Sequence, residues 1–118
     1  MKSNPILPAL VVTAAAAAGA ASAASLAGSE GQVRSRPHFE MGGTGGCQGM
    51  WKQYVGAAGH SAYATTPFNR MVEGVICATT LNAGSKSAAE AAALAECNRG
   101  LKRYKMAVVR SCAIGASK

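Results

Sequence analysis

Aspartate is absent from this sequence, and only five glutamates face twelve lysines and arginines. That scarcity bears first on catalysis, because a Ser-His-acid arrangement needs a carboxylate to orient the imidazole. Histidine occurs twice, as His38 and His60. His60 neighbours Ser61, but adjacent strand residues point to opposite faces, and the acid would have to be Glu73, which nothing in the spacing brings close. His38 lies in a glycine-rich stretch with no second ligand spaced for a metal, and reads as solvated. Closely spaced cysteines are missing too: Cys47, Cys77, Cys97 and Cys112 stand 30, 20 and 15 residues apart. Structural zinc sites use tightly paired ligands and thiol exchange uses a Cys-x-x-Cys pair, so the spacing argues against both. Gly42, Gly43, Gly45 and Gly46 follow no strand and precede no Lys-Ser/Thr pair, so they are not a phosphate cradle. The reading is therefore non-catalytic, with no metal ligands and no cofactor.

Charge is missing from the run Ile6 to Ala21, which follows Lys2 and Pro5 and contains Pro8 near its start. A positive start, an apolar stretch and the small-residue site Ala21-Ser22-Ala23 form the pattern of a cleavable secretory signal peptide over residues 1–24. The run is mostly alanine, less apolar than the roughly 20-residue span of a membrane helix, so no transmembrane segment is expected after cleavage. Cleavage leaves 94 residues, one domain by length and near the small end for a self-sufficient core. All four cysteines fall in that part. An even number in a short exported chain reads as a disulfide framework with three possible pairings, and the expected location is periplasmic or secreted.

Residues 25–46 hold six glycines, a proline and few large apolar groups, which predicts a flexible leader. From Cys47 the character changes. Met50, Trp51, Tyr54, Val55 and Ala58 recur at helical spacing, with Gly59 as the stop and Trp51 as a core anchor. Ser61 to Thr66 alternates as a strand, and Pro67, Phe68 and Asn69 break it. Met71 to Leu81 is rich in β-branched residues and predicts a second strand, in which Gly74 allows a bulge. Ser87 and Glu90 have the spacing of a capping box. The helix they open runs to about Asn98 with Ala93, Leu94, Cys97 and Leu101 toward the core. Met106 to Ile114 alternates as a third strand. The predicted domain, residues 47–118, is α+β: helix, strand, strand, helix, strand, with a three-stranded antiparallel sheet covered on one side by two helices.

Three pieces of this pattern, AYA at Ala62 to Ala64, AAALAEC at Ala91 to Cys97 and CAIGA at Cys112 to Ala116, resemble domain-of-unknown-function family 4189, a group of small exported bacterial domains. The resemblance spans residues 60–116. It departs at Lys105 and Met106, where many members carry a cysteine, and at Glu73, Gly74 and Val75, where a Gly-Trp pair is usual. It implies a Cys97–Cys112 bridge, which leaves Cys47 to pair with Cys77, and it implies fold and compartment rather than an activity.

After cleavage the chain keeps eleven lysines and arginines against five glutamates, an excess that favours anionic partners through long-range attraction. Most of these cations are scattered. Arg99, Lys102, Arg103 and Lys105 cluster near the end of the second helix, where cations also answer the helix dipole, and they are the candidate anion-binding residues. The expectation is a non-catalytic exported module that binds an unknown protein or an anionic envelope component, without specific nucleic-acid recognition. The alternatives are a small cationic protein binding anionic membrane or polysaccharide, and an enzyme or enzyme accessory whose only catalytic nominee is His60.

Overall fold

The computed structural model describes residues 24–39 and 46–118. The predicted signal peptide, apart from Ala24, and residues 40–45 of the predicted leader lie outside the described residues. The elements are β1 (Gln32–Val33), α1 (Gly46–Gly56), β2 (His60–Thr65), β3 (Cys77–Ala83), α2 (Lys86–Arg103) and β4 (Ala113–Ser117). The class is α+β with an antiparallel sheet, but the sheet has four strands, in the order β1-β4-β2-β3, where three were predicted.

The added strand comes from the stretch predicted to be a flexible leader. Val33 packs against the cluster of Tyr54, Tyr63 and Ala116, and the rest of the hold comes mainly from backbone groups and polar side chains, Lys118 foremost. Leu26 N donates to Ala58 O at 2.8 Å, Gly28 N to Val55 O at 2.7 Å and Arg34 N to Gly115 O at 2.7 Å. Lys118 Nζ donates to the carbonyls of Leu26, Ser29 and Val55 at 2.9–3.0 Å, and Tyr54 Oη donates to Glu30 O at 2.8 Å.

Element ends differ from expectation where a tertiary partner outbids the local signal. The cap of α2 is Ser85, whose Oγ accepts from Ala88 N at 3.1 Å. Glu90, the expected reciprocal partner of Ser87, accepts from Ser117 Oγ at 2.6 Å instead. The helix continues through Gly100 to Arg103. A methyl group at Gly100 would lie 2.8 Å from Ile76 Cγ2, so glycine there lets helix and loop approach closely. Its end is closed by Arg110, whose Nη1 donates to Leu101 O at 2.7 Å. α1 stops at Gly56 rather than Gly59, and β3 starts only at Cys77, so Gly74 lies in a loop and bulges no strand. That loop is fastened elsewhere: Glu73 N donates to Ala107 O and Ala107 N to Glu73 Oε2, both at 2.8 Å. The predicted strand over 106–114 shrinks to β4 for the same reason, since its first half is engaged with residues 73 and 101–106.

The helices cover opposite faces of the sheet, not one. Ala62, Ala64, Ala78 and Ile114 meet Ala89, Ala93 and Cys97 of α2, while Tyr63 and Ala116 meet Tyr54, Met50 and Trp51 of α1. Trp51 joins this second layer, edge-on to Tyr63 at 5.4 Å. Tyr63 stands opposite Ala116 but Ala64 opposite Ile114, so Gly115 is the extra residue of a bulge that turns the alternation over within β4. The bridges are Cys47–Cys77, tying α1 to the start of β3, and Cys97–Cys112, tying α2 to the chain before β4.

Burial, with a smaller contribution from Glu30, pushes the Tyr54 hydroxyl up to about 12. Burial does the same to Tyr63, partly offset by the Thr65 hydroxyl beside it. The folded state holds both protons to a higher pH than the unfolded chain, whose phenols titrate near 10. Stability is therefore fully present below about pH 10 and is lost as pH rises toward about 12. In a spectrophotometric titration the two phenolates should appear only toward the upper limit, together with loss of near-ultraviolet circular dichroism. Ionisation of both near pH 10 in a still-folded protein would contradict their burial.

Candidate functional site

Among the described residues the histidine nominated for catalysis gains no side-chain partner. His60 is exposed at the start of β2, whereas the Ser61 hydroxyl is buried, donating to Gly59 O at 2.9 Å and accepting from Asn82 N at 3.1 Å. Glu73 lies beyond the far end of β2 with its carboxylate on Ala107 N. All four sulfurs are in bridges, and among the described residues no three potential metal ligands cluster.

A cleft of about 320 Å³ opens beside the end of β2, lined by Ser35, Arg36, His38, Thr65, Thr66 and Phe68 among others. Two of its side chains are already engaged. Arg36 pairs with Glu30 at 2.8 Å, and the exposed His38 stacks on Phe68 at 3.7 Å. The buried Tyr63 hydroxyl has no hydrogen-bond partner among the described residues, and the Thr65 hydroxyl donates to Thr66 O at 3.1 Å.

A different arrangement forms where α2 ends. The Glu73–Ala107 hydrogen bonds set the loop carrying Arg70 and Met71 against the segment Tyr104–Met106. Arg110 holds that segment in place through Leu101 O and, at 3.3 Å, Met106 O. Lys102, Arg103 and Lys105 are exposed here, as is Arg70 from the neighbouring loop, and none of the four has a carboxylate within ion-pair distance among the described residues. Arg99, the remaining candidate, is exposed one turn back and is paired with Glu96. Set among the cations are three exposed apolar side chains, Met71 at 88 %, Tyr104 at 51 % and Met106 at 41 %. Three of the four candidate cations thus lack a carboxylate partner among the described residues, Tyr104 and Met106 lie within and beside the same run, and Arg70 and Met71 are additions that no local spacing announces. The pairing of Arg99 with a glutamate three residues earlier was open to sequence reading.

No family model, curated protein or solved structure matches the chain. Its own side chains carry the functional reading.

Proposed function

We propose that this protein is an exported, non-catalytic binding module that holds an anionic component of the cell envelope against the cationic end of α2. The observation that carries the proposal is the set of exposed cations Arg70, Lys102, Arg103 and Lys105, without carboxylate partners among the described residues, while Arg34, Arg36 and Arg99 each have one. Unpaired cations on a fixed frame raise the local potential and attract polyanions. Two disulfides in a small domain fit an oxidising space. The signal-peptide pattern at the N-terminus and the resemblance to a family of exported domains agree with that location. Among the described residues no helix is long and apolar enough to cross a membrane.

Binding to a soluble polyanion, dextran sulfate, tests the surface directly. The wild type should bind at low salt and weaken steeply as ionic strength rises. Replacing Lys102, Arg103 and Lys105 together by serine should weaken low-salt binding by about tenfold or more, with the fold intact by circular dichroism. Equal affinity in wild type and triple variant would overturn the proposal.

A further inference from the structure

We infer that the anionic component is the surface of a lipid bilayer, with Met71, Tyr104 and Met106 entering the headgroup boundary between phosphate-bound cations. This rests on the reading of the α2 end as the contact surface and names its ligand. A soluble polyanion rewards only the four charges. It gives nothing for a methionine left 88 % exposed, another at 41 % and a tyrosine at 51 % beside them. At a bilayer each of these side chains has a favourable place. Thioether side chains leave water for the acyl boundary, and a tyrosine ring sits at headgroup depth with its hydroxyl wet. Lysine and arginine stems lie along apolar surface while their charged ends reach phosphate.

The surface is also built to stay in place. Glu73 fastens the Met71 loop to Ala107, Arg110 fixes the carbonyls of Leu101 and Met106, and Cys112 anchors the following chain to Cys97. Arg103 lies 5.8 Å from the centre of the Tyr104 ring, so a cation and an aromatic body reach the same depth. The attachment inferred is a peripheral one, combining apolar insertion with attraction to anionic lipid.

Co-sedimentation with vesicles of phosphatidylcholine containing phosphatidylglycerol, run beside dextran sulfate binding, decides the matter. The variant Met71→Ser/Met106→Ser removes exposed groups only and should leave the fold unchanged. It should lower partitioning onto anionic vesicles by about tenfold while dextran sulfate binding stays at the wild-type level. The Lys102, Arg103 and Lys105 triple variant should lose both. Vesicle binding unaffected by the methionine substitutions, or equal binding to vesicles of pure phosphatidylcholine, would overturn the lipid assignment, and intact dextran sulfate binding would then leave a polysaccharide as the ligand. Loss of neither activity in the triple variant would instead remove the contact surface itself.

Discussion

Replacing Cys97 and Cys112 together by alanine is expected to lower the thermal midpoint by about 15 °C. The bridge closes a 15-residue separation, for which loop-closure entropy in the unfolded chain amounts to about 3 kcal/mol. In a domain of this size about 1 kcal/mol moves the midpoint by roughly 4–8 °C. The share is large because the α2 layer is made mainly of Ala62, Ala64, Ala78, Ala89 and Ala93, and alanines remove little apolar area from water. Alanine is the right replacement at position 97, since that side chain is fully buried and a serine hydroxyl there would add a desolvation cost of its own. Scanning calorimetry of the double variant, and of the wild type in reductant, measures the effect. A midpoint within about 3 °C of the oxidised wild type would show that the alanine-rich layers suffice without the crosslink.

The second large effect belongs to Gly31→Ala. Gly31 has φ +63, in the left-handed region, and an added methyl would press into Ser117 O and stand 2.7 Å from Lys118 Cβ and 2.9 Å from Tyr54 Oη. Left-handed backbone costs an alanine about 1 kcal/mol. The clash with a backbone oxygen adds more, for a total of about 3 kcal/mol. The cheapest relief is not global unfolding but release of residues 24–36, which gives up the Tyr54 bond to Glu30 O and two of the three carbonyls around Lys118 Nζ. Trypsin should then cut after Arg34 at least about tenfold faster than in the wild type, since cleavage tracks the population of the opened segment. The body from Gly46 onward should keep its circular dichroism. Unchanged cleavage at Arg34 would mean that the segment is not held in the way described.

The elements around these positions also show where sequence reading succeeds and where it stops. Helical spacing located α2 and strict alternation located β2, because each is a local signal repeated over several residues. β1 escaped because it consists of Gln32 and Val33, whose partners Ser117 and Ala116 stand at the other end of the chain. Nothing in a glycine-rich stretch records that its amides have acceptors waiting. The strand predicted over 106–114 failed because alternation says nothing about which neighbour a backbone will bond, and here Glu73 and Arg110 claim that segment. The Gly115 bulge inverts the faces of β4 without altering its composition. For the candidate site, the run Lys102 to Lys105 is legible as charge clustering, with Tyr104 inside it and Met106 beside it, but Arg70 and Met71 arrive through one long-range pair of hydrogen bonds.

The Lys118 ammonium and the free cations occupy opposite poles of the molecule. Lys118 is paired through its backbone with Ser61 near the beginning of β2, and the cations gather beyond its last residue. Six residues of extended chain separate the poles by about 20 Å. A flat object resting on the charged pole leaves the other facing away from it. A fluorophore or carrier domain joined ahead of Leu26 would therefore serve as a handle that reports on contact without standing between the protein and whatever it holds.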